Sequence, residues 1–273
     1  MKIPFTKAHG AHNDFLLTWR DRLPSELSDI AAAAVAICDR HTGAGADGWL
    51  LVSLPESKNG VEDAAIELWN SDGSRSEMSG NGTRCAAAVL IEAGRAGEQV
   101  SIATGAGLKR LRLLERRGLA FSFEMNMGRA MIEDLRATVE EYDGVILNVG
   151  NPQCAVLVKN FDFDWQGMGA RLSRHPRFPN GANVSFARVI DRHSIDVRFF
   201  ERGAGETMSS GTGSTGAAAA ALARGFVETP VRVLTPAGPF ELRWDGEDIL
   251  LSGPAEIVAA GEFYWKENNR ESF

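Results

Sequence analysis

Two short segments carry the pattern Ser-Gly-X-Gly directly before an apolar stretch, and their residue types suit a helix start that binds an anion. They are Ser79–Gly82, before Cys85–Ala93, and Ser210–Gly213, before Thr215–Ala223. A serine N-cap accepts a hydrogen bond from the first helical turn, and glycines ease the turn from strand to helix. The N–H groups exposed at such a helix start attract a carboxylate. Each segment can therefore be a structural cap, a carboxylate site, or both.

The two segments stand at equivalent positions of an internal repeat. In each half a short alternating pattern typical of a strand, Ile66–Asn70 or Val197–Glu201, leads through a glycine-containing turn to the motif. Asn70 and Glu201 each lie nine residues before the motif's serine, and the motifs are 131 residues apart (from 79 to 210) in a chain of 273. This self-similarity predicts a duplicated domain with an active site between its halves.

Composition and charge are those of a soluble globular protein with many tight turns. The chain is 44% hydrophobic and 24% charged, with 29 glycines. Its formal net charge of −7 argues against nucleic acid or an anionic membrane as the main partner, but not against a small anionic ligand. We see neither a secretory signal nor about 18 consecutive apolar residues. We therefore expect a cytoplasmic protein with no membrane partner.

The cysteines and histidines predict neither a metal site nor a cofactor. Cys38, Cys85 and Cys154 cannot all form disulfides with one another, and they lack metal-ligand spacing. Each lies in or beside an apolar run, so we expect buried free thiols in a reducing cytosol. The five histidines show no metal spacing either.

Short strand-like segments outnumber the helical ones. The helical segments are Leu27–Cys38, Arg84–Glu92, Asp164–Leu172 and Thr215–Arg224. Strand-like segments beyond the repeat are Trp49–Ser53, Leu111–Leu114, Ala120–Met125, Val145–Val149, Ala155–Lys159, Val184–Val189, Val231–Leu234 and Ile249–Ser252. We predict an α+β fold of two pseudo-symmetric domains, each a β-barrel-like sheet around a central helix. The predicted halves are residues 1–124 and 125–259, with residues 260–273 returning to the first half.

Seven blocks of sequence stand in an order and spacing that are together highly specific. They are His9–Phe15, Cys38–Gly48, Asn70–Ser74, Gly80–Cys85, Gly150–Pro152, Asn183 and Glu201–Thr207. In these blocks the chain resembles the diaminopimelate epimerase family over essentially its whole length. The resemblance implies two pseudo-symmetric domains, a ligand in the cleft and a homodimer. It also implies an isomerase that inverts an amino acid's α-carbon without pyridoxal phosphate, converting LL- to meso-diaminopimelate in lysine and peptidoglycan biosynthesis.

The resemblance also assigns a set of substrate contacts. It implies a small zwitterionic amino-acid substrate, with Arg202 for a carboxylate, Glu201 for an ammonium group and asparagines for either. The implied substrate-binding residues are Asn13, Asn70, Gly80, Asn81, Asn151, Asn183, Glu201, Arg202, Gly211 and Thr212.

The catalytic positions depart from the family. Its reaction uses one thiolate to remove the α-proton and a thiol on the opposite face to return one. Here Ser79 and Ser210 occupy both thiol positions, and Gln153 stands where the family usually carries a histidine. A serine hydroxyl ionises far above neutral pH and needs an adjacent base. Glu201 is the candidate base near Ser210, so the predicted catalytic residues are Ser79, Ser210 and Glu201.

Three functions remain open on the sequence. The first is an epimerase or racemase with serines in the acid and base positions. The second is another isomerisation or an elimination on a related carboxylic acid with a more acidic C–H, with Glu201 as the base. The third is an amino-acid binder that has lost the chemistry. The Gln153 change and the hydroxyl-rich stretch Ser209–Thr215 favour natural divergence over deliberate replacement of the two cysteines.

Overall fold

The computed structural model describes residues 1–55 and 61–266. The chain forms two compact units. Unit 1 is Met1–Ser122 with the segment from Pro254 onward, and unit 2 is Phe123–Gly253. The sequence places these divisions slightly later, after residues 124 and 259. Of the segment expected to return to the first half, residues 267–273 lie outside the described residues.

Unit 1 places seven strands and two α-helices in its described residues before the chain leaves it. The strands are β1 (Lys2–Gly10), β2 (Asn13–Trp19), β3 (Gly48–Ser53), β4 (Ala64–Asn70), β5 (Arg75–Ser76), β6 (Gln99–Thr104) and β7 (Gly107–Arg117). The helices are α1 (Ile30–Cys38) and α2 (Gly80–Glu92). The next strand, β8 (Ala120–Gly128), carries the chain into unit 2.

Unit 2 contains a matching set of elements. Its strands are β9 (Met131–Val139), β10 (Tyr142–Asn148), β11 (Pro152–Leu157), β12 (Asn183–Asp191), β13 (Ser194–Glu201), β14 (Gly205–Thr207), β15 (Val231–Thr235) and β16 (Gly238–Asp245). Its helices are α3 (Trp165–Leu172) and α4 (Gly211–Ala223). The last strand, β17 (Asp248–Tyr264), begins in unit 2 and returns the chain to unit 1.

The two units repeat one pattern of strand pairing. In unit 1, β2 is antiparallel to β1 and parallel to β3, β4 is antiparallel to β3 and β5 and parallel to β6, and β6 is antiparallel to β7. The strands β10 to β16 of unit 2 pair in the same order and directions. The returning part of β17 pairs with β1 as β9 pairs with β10. The predicted pseudo-symmetry is confirmed.

Each unit wraps its strands around one buried helix. Helix α2 contacts β1, β2, β3, β4, β6 and β7, and α4 contacts β9 to β13, β15 and β16. All of Ala217–Ala221 is buried, which suits a helix that meets apolar side chains on every side. Strands such as β13 alternate buried and half-buried residues, because successive side chains point to opposite faces. The predicted α+β class with a barrel-like sheet around a central helix is confirmed.

Helix α3 begins one residue after its predicted start, and the other three α-helix starts differ from the sequence prediction by three or four residues. Helix α1 begins at Ile30, three residues after the predicted start, because the Asp29 carboxylate accepts a hydrogen bond from the Ala32 N–H (2.9 Å) and caps the helix there. Helices α2 and α4 begin at Gly80 and Gly211, four residues before the predicted starts. The motif glycines have low helix propensity, but they form the first turn behind a serine cap.

The predicted burial of the cysteines is confirmed, because Cys38, Cys85 and Cys154 are free thiols inside the units. Burial raises the pKa of each thiol to about 12, so none is a thiolate near neutral pH. Across residues 1–55 and 61–266, no helix is both long and apolar enough to cross a membrane.

Packing of α3 against β13 leads to a stability prediction. A Cβ added at Gly169 would lie 2.6 Å from the Phe200 Cβ, too close for any side chain. We expect Gly169→Ala to lower the free energy of unfolding by about 1–3 kcal/mol through overpacking, despite the better helix propensity of alanine. Urea unfolding measures the change.

The matched control is Gly97→Ala. No atom lies within 4 Å of a Cβ added there, and its φ is not in the left-handed region. This variant should be neutral or gain roughly 0.4–1 kcal/mol through a less flexible unfolded chain. Equal stability of the two variants would contradict the close packing of α3 on β13.

Candidate active site

The start of α4 is the centre of the unit 2 half-site, by which we mean the predicted site residues Asn151, Asn183, Glu201, Arg202, Ser210, Gly211 and Thr212. Ser210 is extended (φ −140°, ψ 121°) and its Oγ accepts a hydrogen bond from the Gly213 N–H at 3.0 Å. A Cβ at Gly213 would lie 2.7 Å from the Phe199 ring, so only glycine lets the helix start this close to β13. The N–H groups of Gly211 and Thr212 belong to the first turn, where a helix offers donors to an anion.

Ser210 is bonded to a carboxylate as well as to its own helix. Its hydroxyl donates to Glu201 Oε1 at 2.7 Å, and the Thr207 hydroxyl donates to Glu201 Oε2 at 2.9 Å. Burial raises the pKa of the Glu201 carboxyl, while the bonds from Ser210 and Thr207 act in the opposite direction. The arrangement is a serine hydroxyl poised beside a base whose proton affinity is increased.

Gln153 and Asn151 lie beside the same helix start. The Asn151 amide donates to Thr212 Oγ1 at 3.4 Å, and Gln153 Nε2 donates to Asn151 Oδ1 at 2.6 Å. Gln153 is 1% exposed, and its Cγ would lie 3.2 Å from a Cβ at Gly216, one turn after Thr212. Gln153 thus holds the Asn151 amide in one orientation, and it has no group that titrates.

Asn183 and Arg202 form the other side of the half-site in unit 2. Asn183 Oδ1 accepts a hydrogen bond from the Arg202 backbone N–H at 2.9 Å, and the Arg202 guanidinium donates to the Asn180 carbonyl at 2.8 Å. Glu201 and Arg202 line a cavity of about 540 Å³ within unit 2, together with 173–174, 178–181, 200 and 203–205. Glu201 and Arg202 are the residues of the unit 2 half-site that border this cavity.

The unit 1 half-site, the predicted residues Asn13, Asn70, Ser79, Gly80 and Asn81, is built around the equivalent cap. Ser79 is extended (φ −129°, ψ 124°), and its Oγ accepts a hydrogen bond from the Gly82 N–H at 3.1 Å. Gly80 and Asn81 form the first turn, so this start also presents helix N–H donors. Both serines are helix N-caps, as the Ser-Gly-X-Gly pattern predicts.

A chain of polar side chains fixes Asn81 in unit 1. Arg84 donates to Asn81 Oδ1, the Asn81 amide donates to Asn13 Oδ1 at 3.2 Å, and Asn13 Nδ2 donates to Asp47 Oδ2 at 2.6 Å. Arg40 forms an ion pair with Asp47 at 2.7 Å. Because each amide uses its oxygen on one side and its nitrogen on the other, the orientation of both asparagines is determined.

The two half-sites differ at the residue nine positions before the serine. Asn70, the counterpart of Glu201, donates to Ser74 Oγ at 2.9 Å in its own turn. Among the described residues, the Ser79 hydroxyl shows no hydrogen bond to a carboxylate, whereas Ser210 has one with Glu201. In the part of the chain that the structure describes, the unit 2 serine is therefore the one paired with a base.

All predicted site residues lie at helix starts or at strand ends and their adjoining turns. The structure brings together Asn13 with Asn81 in unit 1, and Asn151 with Thr212, Asn183 with Arg202 and Glu201 with Ser210 in unit 2. Asn70 makes no such contact with another predicted residue of unit 1 among the bonds described.

Asp47 and Thr207 are not among the site residues predicted from the sequence. Both lie inside blocks of the family resemblance, and Thr207 stands three residues before Ser210 as Ser76 stands three before Ser79. That internal correspondence is the signal that could have singled out Thr207.

Replacing each serine by alanine should separate the stability that comes from the helix cap from the stability that comes from the Ser210–Glu201 bond. Ser79→Ala loses a cap and should cost about 1 kcal/mol of unfolding free energy. Ser210→Ala also removes one donor from the Glu201 carboxylate and should cost about 1 kcal/mol more at neutral pH. Urea unfolding of both variants at one pH measures the difference, and equal losses would contradict a stabilising Ser210–Glu201 bond.

Comparison with known proteins connects this geometry to one family. The chain matches the family model for diaminopimelate epimerase over residues 5–132 and 145–258. Diaminopimelate epimerase of Pelotomaculum thermopropionicum is 35% identical over 283 residues, covering 96% of this chain and 99% of the relative. The protein of that name from Xanthomonas axonopodis pv. citri is 39% identical over 280 residues, covering 96% of each chain.

Solved structures share the fold at low sequence identity. A phenazine biosynthesis protein of the PhzF family from Bacillus anthracis has a TM-score of 0.73 at 18% identity, covering 96% of this chain and 99% of the other. A hydroxyproline epimerase from Agrobacterium vitis has a TM-score of 0.69 at 17% identity, covering 96% and 92%. These likenesses show the fold, and the sequence match shows more: the chain belongs to the diaminopimelate epimerase family of cofactor-independent amino-acid epimerases.

Proposed function

We propose that this protein is an epimerase of diaminopimelate, or of a closely similar amino acid, in which the Ser210–Glu201 pair performs the proton transfer at the α-carbon. The observation that carries the proposal is the 2.7 Å hydrogen bond from Ser210 to Glu201 at the start of α4. Family membership supports the substrate class and a role in lysine biosynthesis. On the same basis we propose a cytoplasmic homodimer.

Proton removal by this pair is a two-part transfer. The Cα–H bond breaks as Ser210 Oγ takes the proton, and the Ser210 hydroxyl proton passes to Glu201 Oε1. The electron pair of the broken Cα–H bond stays on the α-carbon and spreads onto the substrate's adjacent carboxylate. Burial supports the transfer because it raises the pKa of Glu201 and so strengthens it as a base. The N–H groups of Gly211 and Thr212 are the donors we assign to the growing negative charge.

Inversion also needs a group that returns the proton, and the family motif gives that position to Ser79. Its hydroxyl caps α2, and among the described residues it has no carboxylate to exchange protons with. A serine that gives up its proton must become an alkoxide or be reprotonated at once, which is costly near neutral pH. We therefore expect removal of the α-proton at Ser210 to be faster than complete inversion.

The polar groups around Glu201 support an amino-acid substrate. Arg202 supplies a guanidinium for a carboxylate, and the amides of Asn151 and Asn183 are held in fixed orientations by neighbouring hydrogen bonds. A cavity of about 540 Å³ has room for a small, strongly polar ligand.

Exchange of the α-proton with solvent tests the proposal. We expect meso- or LL-diaminopimelate in D₂O to gain deuterium at the α-carbon, measured by proton NMR, faster than the other isomer forms. Glu201→Gln and Ser210→Ala should each lower exchange by at least about tenfold, in the range usual for a lost acid or base. Ser79→Cys should bring inversion closer to the rate of exchange.

The Ser79→Cys/Ser210→Cys double variant is the matched control for an intact site. If the natural protein gives no exchange at high concentration while the double variant does, the serines do not carry the reaction and the proposal fails. Tight diaminopimelate binding by calorimetry without exchange would instead identify an amino-acid binder.

The one-sided placement of the base favours a second candidate. A shift of a double bond or an elimination can use a single carboxylate on a substrate whose C–H is more acidic than that of an amino acid. Turnover of unsaturated carboxylic acids that disappears in Glu201→Gln, without any exchange on diaminopimelate, would establish this function. A panel of such acids that is inert would exclude it.

A further inference from the structure

The Glu201 carboxylate has two hydroxyl donors, and only one of them belongs to the proposed proton path. Ser210 donates to Oε1 at 2.7 Å and Thr207 donates to Oε2 at 2.9 Å. We infer that Thr207 is a positioning residue that orients Glu201 and sets the pH range in which it acts as a base.

The hairpin of β13 and β14 explains why Thr207 reaches the carboxylate. Thr207 lies directly opposite Phe199 in the antiparallel pair, and Gly205 lies opposite Glu201. Phe199 and Glu201 point to the same face of β13 because they are two residues apart. Thr207 is thus a diagonal neighbour of Glu201 on that face, within reach of a side chain. Its contact with Glu201 therefore follows from the register of β14 against β13.

The two bonds together determine the plane of the carboxylate. Because Thr207 bonds to Oε2, Oε1 remains directed at the Ser210 hydroxyl. Oε1 is the oxygen that must receive the proton. Both donors also stabilise the ionised carboxylate and so oppose the effect of burial on its pKa. Removing the Thr207 donor should leave Glu201 less well oriented and protonated over a wider pH range.

Unit 1 provides an internal comparison at the equivalent position. Ser76 corresponds to Thr207, but its hydroxyl donates to the Met78 carbonyl at 3.4 Å, while Asn70 bonds to Ser74. Where the strand ends in an asparagine, the hydroxyl three residues before the motif serine turns to the backbone. Where it ends in Glu201, the hydroxyl turns to the carboxylate.

Thr207→Val tests the inference because it removes the hydroxyl with little change in shape. The first readout is the pKa of Glu201, measured by ¹³C NMR titration of the side-chain carboxyl in the full-length protein. The Glu201 signal is assigned by its absence from the spectrum of Glu201→Gln. We expect the pKa to rise by about one unit in Thr207→Val, because one donor to the ionised form is lost. Thr207→Ser restores the donor and should restore the pKa, and Ser76→Ala is the matched control that should leave it unchanged.

The second readout rests on the proposed function: the pH profile of kcat/KM for α-proton exchange. The acidic limb of this profile should move to higher pH in Thr207→Val. Activity should be roughly tenfold lower at pH values below the pKa of Glu201 and less reduced at pH values above it. A shifted carboxyl pKa with no exchange in any variant would refute the proposed function and leave the inference standing.

Two results would overturn the inference. The first is a folded Thr207→Val protein, judged by near-ultraviolet circular dichroism, whose Glu201 titrates as in the natural chain. The second is an equal shift in Thr207→Val and Thr207→Ser, which would show a packing effect instead of a hydrogen bond. If Thr207→Val does not fold, Thr207→Ala against Thr207→Ser gives the same comparison under the same criteria.

Discussion

Helices α2 and α4 begin inside their units, where most of the first turn is buried, and a helix start leaves N–H groups that need partners. A serine hydroxyl satisfies one of these groups at each start, and glycine allows the turn to pack closely against the strand before it. The remaining donors are available to an anion. The strand order around each helix, the nine-residue spacing and the polar strand ends all serve to place these two starts.

Duplication gave the protein two equivalent starts, and sequence divergence has made them chemically unequal. In unit 2 the strand before the motif ends in Glu201, which bonds to Ser210 and Thr207. In unit 1 the equivalent residue is Asn70, and the polar chain runs instead from Asn81 through Asn13 to an aspartate. Both helix starts offer N–H donors to a carboxylate, but within residues 1–55 and 61–266 Ser210 is the motif serine that bonds to a carboxylate side chain. The same scaffold thus keeps two serine-capped helix starts whose serines have different hydrogen-bond partners among the described residues.

The serine caps and the duplicated α+β plan could be predicted because they depend on local pattern and spacing. The contact of Thr207 with Glu201 could not, since it depends on the register of β14 against β13. The early starts of α2 and α4 were missed because glycine propensity argues against helix there, and burial overrides it. Strand β9 was missed because Met131 and its neighbours are largely exposed, so no apolar alternation marks it.

The buried position of Glu201 is best explained by chemistry rather than by stability. Burial raises its folded-state pKa above the unfolded value, so the folded protein holds this proton more tightly. The resulting contribution to stability is present at low pH and is lost as the pH rises through the folded-state pKa. An ionised Glu201 near neutral pH therefore lowers the free energy of unfolding. Glutamine at 153 shows that a neutral amide can fill a buried polar place beside the same helix. A carboxylate kept next to Ser210 at this cost is consistent with a base in use.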